Sequence, residues 1–211
     1  MNKRIVLSIA LLILACAQGV QNLDEPNSSE SMLVIGRVII EGQTDYNITE
    51  IVRKGNKIGI FGLTEAGEQV HYYAYTDANG YFALPNVPPG QYAIQGVNAY
   101  IHQVGTYTLY NPLEQGGSVF RFNRGEYYTF GGEYFPFQTR GRVLSLQNHI
   151  FRIMLVNRSL RPLGHQIYPR LENVELLDGT VLNDGAVESY YIDLFPSSAW
   201  VSELEKSLQN L

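Results

Sequence analysis

From Met32 onward, short apolar runs alternate with clusters of turn residues, a pattern that predicts strands. Met32–Glu41 places Val34, Gly36, Val38 and Ile40 on one face, with Arg37 and Glu41 on the other. A second run, Lys57–Thr64, is closed by Glu65-Ala66-Gly67-Glu68, and a third covers Val70–Thr76. The intervening Gly42–Gly55 stretch reads as a long connection. Asp77-Ala78-Asn79-Gly80 supplies Asx turns and a glycine able to take positive φ, so the chain reverses into Tyr81–Leu84. Pro88-Pro89-Gly90 makes a corner before Gln91–Val97, and Ser118–Asn123, Tyr127–Phe137 and Ile150–Val156 supply further strands. Past Asn157, Arg158–Leu171 reads as loop because it carries Pro162, Gly164 and Pro169. Val174–Leu182 fits a hairpin around Asp178-Gly179. Pro196–Leu208 fits a helix with Ser197 or Ser198 as N-cap and an apolar stripe of Trp200, Val201, Leu204 and Leu208, docked on its own domain or on a partner. The expected fold is mainly β: a β-sandwich with a short C-terminal α-helix.

Composition agrees with this pattern. Of 211 residues, 45% are hydrophobic, enough for one sizeable core, and 20 Gly, 9 Pro and 15 Tyr favour turns and strands over a helix bundle. One Cys excludes an intrachain disulfide, a Cys-type zinc site and an iron–sulfur cluster built from this chain.

The first 31 residues have another character. Lys3 and Arg4 precede an uncharged apolar stretch, Ile5–Ala15, too short to span a bilayer. Ile13-Leu14-Ala15-Cys16 resembles the lipobox of bacterial lipoproteins, which implies a diacylglyceryl-modified Cys16 as the mature N-terminus and a lipid-anchored place in the cell envelope. The Ala that follows Cys16 implies the outer membrane. Ala15-Cys16-Ala17 is also an A-x-A site, and cleavage after Ala17 would release a soluble periplasmic or secreted protein. Ala17–Ser31 is polar and without hydrophobic periodicity, and reads as a tether reaching about 50 Å when extended. Removal of the leader leaves 13 basic against 20 acidic residues, a net charge of −7, which argues against nucleic acid as a partner.

Thr76–Ile94 is similar to the signature of carboxypeptidase regulatory-like domains, a seven-stranded prealbumin-like (transthyretin-like) sandwich. Asp77, Asn79, Gly80 and Phe82 match its turn, and Pro89, Gly90 and Tyr92 its corner. With Gly36-Arg37-Val38 the likeness covers residues 32 to about 100 and implies a stabilising or interaction module. The chain thus divides into a signal peptide (1–15), a tether (16–31), the sandwich (32–157) and an extension of loop, hairpin and helix (158–211).

Catalytic motifs are sparse. His71, His102, His149 and His165 form no H-x-H or H-E-x-x-H pair, and Gly116-Gly117-Ser118-Val119-Phe120 is not a nucleophile elbow. Hydroxyisourate hydrolases, which share the general fold, end in Tyr-Arg-Gly-Ser, whereas this chain ends Leu208-Gln209-Asn210-Leu211. Asp77 and Asn79 fit a side-chain-stabilised turn or a calcium loop. Tyr127, Tyr128 and Tyr134 fit a sandwich core or a sugar-stacking surface. The sequence therefore leads to a non-enzymatic envelope lipoprotein without cofactor or metal, a scaffolding or accessory subunit for another envelope protein. A surface carbohydrate-binding module is the alternative.

Overall fold

In the computed structural model, which describes residues 23–44, 49–101, 105–110, 121–124, 142–163 and 166–211, the Met32 run forms the central strand β1 (Met32–Thr44). Along β1 lie β9 (Val143–Leu163), parallel to it, and β5 (Tyr81–Val87) and β2 (Thr49–Val52), which pair antiparallel with its first and last halves. Strand β10 (Gln166–Leu182) closes the far side of β9. The second sheet is antiparallel, in the order β4 (Gln69–Tyr75), β3 (Lys57–Thr64), β6 (Gly90–Ile101), β7 (Gly105–Tyr110), β8 (Arg121–Arg124). The inner faces share one core: Val34, Val38, Ile40, Phe82, Leu146 and Phe151 from the first sheet meet Ile58, Ile60, Ala74, Tyr92, Ile94 and Val97 from the second. The protein is mainly β, as expected.

The other face of the first sheet is covered around the first half of β1, while the Glu41–Arg152 ion pair farther along stays exposed. Two helices, α1 (Ala186–Leu194) and α2 (Val201–Gln209), lie on it, and Leu33, Ile35, Tyr81 and Val143 pack there against Val187, Tyr191, Trp200 and Leu204. This is why the first half of β1 is apolar at all but Arg37: a stretch covered on both faces has no reason to alternate. Helix α2 starts later than the expected span and ends one residue beyond it; Trp200 precedes it, and Ser198 accepts through Oγ from Trp200 N at 3.2 Å instead of capping the helix.

Several expectations are corrected. The Gly42–Gly55 connection contains β2, whose register on β1 runs Ile40↔Val52 to Gln43↔Thr49. No boundary in secondary structure falls at Asn157, because β9 continues to Leu163; Arg158–Leu171, expected as loop, lies mainly in the β9–β10 ladder. Asp178 and Gly179 are ladder positions opposite Arg152 and Phe151, not a hairpin turn. Pro162 and Pro169 are tolerated because pairing of β9 with β1 ends at Leu155. Beyond that point β9 and β10 pair as a two-stranded ribbon among the described residues, and proline's missing N–H is least costly at a sheet edge. Helix α1 was not expected at all. Of the other expected strands, Ser118–Asn123 overlaps β8, whereas Tyr127–Phe137 lies outside the described residues.

A buried imidazole makes this core pH-sensitive. His149 on β9 is 6% exposed, its ring lies 5.9 Å from that of Phe151, and its Nε2–H donates to Leu146 O at 2.8 Å. Burial pushes its pKa below the ordinary value, against a smaller opposing effect of that hydrogen bond. The unfolded chain therefore binds a proton below about pH 6.5 that the folded chain refuses. Stability is full above that pH and falls as the solution is acidified, by up to about 1.4 kcal/mol per pH unit. Urea unfolding at pH 7.5 and 5.5 should show this drop, and His149→Phe should lose most of it.

Candidate interaction face

The outer surface of the second sheet carries a compact aromatic face. Strand β4 alternates, with Gln69, His71, Tyr73 and Tyr75 turned outward and Ala74 buried, and Tyr72 lies with its ring 6.2 Å from that of the buried Tyr92. Its register on β3 sets four rungs on the outward side: Tyr75 opposite Lys57, Tyr73 opposite Gly59, His71 opposite Phe61 and Gln69 opposite Leu63. Directly opposite residues share a face, so these side chains are neighbours. The Lys57 ammonium lies 4.3 Å from the Tyr73 ring centroid, and the Phe61 and His71 rings meet edge-on at 4.9 Å. Tyr75 is 58%, Tyr73 43% and Leu63 38% exposed. Arg53 and Lys54, exposed just before β3, give this face a cationic end in a chain of net charge −5. Other exposed large apolar side chains among the described residues, including Val181, Leu182, Leu194 and Leu208, belong to the end of β10 and the helical layer.

The residues of the turn and the corner act differently: they staple the fold. Asp77 Oδ1 accepts from Asn79 N at 2.8 Å and Tyr81 N at 3.0 Å, while Oδ2 accepts from the Tyr190 hydroxyl at 2.5 Å. Gly80 has φ +89°, and a Cβ there would lie 2.7 Å from Val38 O, so both backbone conformation and close approach require glycine. Phe82 is fully buried over Gly36. Tyr92 is fully buried over Gly62 and donates from its hydroxyl to Pro88 O at 2.6 Å; burial raises its pKa. Gly90 passes within van der Waals reach of the β3 backbone, and Pro89 O accepts from Glu65 N at 2.9 Å. The Asp77 carboxylate is thus engaged by the turn and by α1, as a side-chain-stabilised turn requires.

Tyr190 ties the helical layer to that turn. Its ring lies parallel to that of Tyr81 at 3.7 Å between centroids, and the Arg37 guanidinium sits 4.8 Å from the Tyr81 ring. Desolvation, and then the hydrogen bond to the Asp77 carboxylate, push the Tyr190 phenol up to about 12. Tyr190→Phe keeps the stacked ring and removes only the hydroxyl that donates to the Asp77 carboxylate, so it should cost about 1.5–3 kcal/mol in chemical denaturation. A neutral result would mean that water replaces Tyr190 at Asp77 without loss.

The expected tether is shorter than its polarity suggests. Leu23 is 5% exposed beneath the helices, and the segment after it is held by hydrogen bonds along its length. Trp200 Nε1 donates to Asp24 O at 2.8 Å, Asn86 Nδ2 to Glu25 O at 3.0 Å, and Arg142 to Ser28 O at 2.7 Å and Ser31 O at 2.9 Å. Glu25 accepts from Ala199 N at 2.8 Å. A shallow groove of about 530 Å³ lies where this segment meets the α1–α2 link, lined by Leu23, Asp24, Glu25 and Leu194–Ser198. Only residues 16–22 of the expected tether precede this docked segment.

Cys16 and the predicted surface tyrosines Tyr127, Tyr128 and Tyr134 lie outside the described residues. Sequence reasoning missed the Lys57–Leu63/Gln69–Tyr75 face, although the outward tyrosines at positions 73 and 75 of an alternating strand were its signal. Among the described residues no group of three or more His, Cys, Asp or Glu side chains is placed to hold a metal ion, and no helix is long and apolar enough to cross a membrane. Compared with known proteins, the chain matches no family model, no curated protein and no solved structure.

Proposed function

We propose that this chain is a non-enzymatic, lipid-anchored envelope protein, an accessory or scaffolding subunit that presents a carboxypeptidase-regulatory-like, prealbumin-like sandwich to another envelope protein. The observation that carries the reading is the asymmetry of the two sheets. The first is covered around the first half of β1 by α1, α2 and Leu23, whereas among the described residues the second displays Leu63, Tyr73 and Tyr75 beside Lys57, with the buried Phe61 ring between them. Tyrosines on a rigid sheet supply large contact area at little entropic cost, which suits them to protein interfaces. Supporting the finer fold are the Asp77 turn, the Tyr92 corner and the two-sheet core. Supporting the anchor is the run Leu14-Ala15-Cys16 after a cationic start, with the outer membrane as its destination.

The test is chemical cross-linking in the native envelope, followed by capture and mass spectrometry that also reads the mature N-terminus. An acylated Cys16 and one defined protein partner are expected. Tyr73→Ser/Tyr75→Ser should retain the wild-type unfolding transition, because both rings are substantially exposed, and lose the partner. A mature N-terminus at Gln18 would contradict the anchor and place the protein in the soluble periplasmic or secreted pool.

The alternative, a carbohydrate-binding surface, is favoured by one feature: Tyr75 offers a ring beside a cationic side chain, a combination that suits acidic sugars. Retention of polysaccharide by the wild type, with loss in the Tyr73→Ser/Tyr75→Ser variant and no protein captured, would select it.

A further inference from the structure

We infer that the protein rides on its bilayer with the α1–α2 layer turned toward the lipid and the Lys57–Leu63/Gln69–Tyr75 face turned away; this rests on the proposed anchor at Cys16. The placement of Leu23 carries the argument. It is buried among Leu33, Ile35, Trp200 and Leu204, on the helical side of the first sheet, and Asp24 to Ser31 are stapled to the same side. Seven peptide steps separate Cys16 from Leu23, a span of at most about 25 Å. The packed layers are comparably thick: stacked sheets lie about 10 Å apart, and a covering helix adds about 10 Å. A link of that length cannot pass around the molecule and still let the outer face of the second sheet meet headgroups. It reaches the bilayer from the helical side, where the groove at Leu194–Ser198 opens beside Leu23. Asp24, Glu25 and Asp193 are exposed there, so the lipid surface so approached is zwitterionic rather than anionic. A tether running to Ser31 would impose no such orientation.

The lysines of the chain after residue 16 report this directly, because there are three: Lys54 and Lys57 beside the second sheet, and Lys206 on α2, with its side chain 65% exposed. The protein, isolated from envelopes with its own acyl chains, is reconstituted in phosphatidylcholine vesicles containing phosphatidylethanolamine and treated with a short amine-reactive bis-N-hydroxysuccinimide ester, which joins a lysine amine to a headgroup amine through two amides and releases two N-hydroxysuccinimides. Headgroup adducts are expected on Lys206 and absent from Lys54 and Lys57. Adducts on Lys54 or Lys57 equal to those on Lys206 overturn the orientation. If the isolated protein carries no acyl group on Cys16, the anchor reading fails separately. The same experiment on protein produced to begin at Cys16, and coupled through that thiol to a maleimide phospholipid, then decides whether the docked segment orients the fold.

Discussion

Trp200→Ala should lower the unfolding free energy by about 3–5 kcal/mol, a large share of the 5–15 kcal/mol typical of a domain. Trp200 is fully buried, it joins Leu23, Leu33 and Ile35 under the helices, and the Arg142 guanidinium lies 5.0 Å from its ring. Its indole N–H also holds Asp24 O, so the substitution should release the N-terminal segment as well as hollow the core. Amide hydrogen exchange at residues 24–31 should rise in the variant, with the transition itself followed by circular dichroism because the chain's only Trp has been removed. Trp200→Phe separates the two effects: it keeps most of the buried ring, drops the hydrogen bond, and should cost far less while still loosening Asp24. A cost under about 1 kcal/mol for Trp200→Ala would mean that the helical layer is not packed as described.

Phe82→Ala should be comparably severe, about 3–5 kcal/mol, because the ring is fully buried between the sheets. Its partner makes this test more specific than a cavity alone. A Cβ on Gly36 would lie 2.4 Å from Phe82 Cζ, so Gly36→Ala in the wild-type background should overpack the core and cost about 1–3 kcal/mol. In the Phe82→Ala background the ring is gone, and the same Gly36→Ala should cost little or even recover stability. A double-mutant cycle by urea unfolding reads that coupling, and additive costs would contradict the Gly36–Phe82 contact.

That pair also shows what the sequence could reveal. Asp77 and Gly80 were legible because each answers a local demand, a side-chain-bonded turn and a positive φ, whereas Gly36, Phe82 and Tyr92 stood out only through the resemblance, and the seating of each ring on a glycine appears only in the fold. The strands β1, β3, β4, β5 and β6 followed from alternation and punctuation. The second covered face was present in the same letters, since Leu33, Ile35 and Ile39 stand between the inward residues of β1, but an alternating reading assigns them no partner.

Helix α1 was obscured by its shortness and by Tyr190-Tyr191, a pair with strand preference. Asn183-Asp184-Gly185 was its start signal: Asp184 Oδ1 accepts from Ala186 N at 3.1 Å. Pro162 and Pro169 hid the β9–β10 ribbon, because proline warns against a central strand and says less about an edge. The docked segment from Asp24 to Ser31 was the least legible, since its fixing bonds largely use its own backbone carbonyls, which composition does not reveal.

The central claim is that the face of the second sheet meets a protein partner while the helical side meets the bilayer. The most direct measurement places a photo-reactive side chain at position 75 in one variant and at position 197 in another, then illuminates intact envelopes. The account predicts one defined protein adduct from position 75 and lipid adducts from position 197. Protein captured from position 197, with nothing or only polysaccharide from position 75, would contradict it.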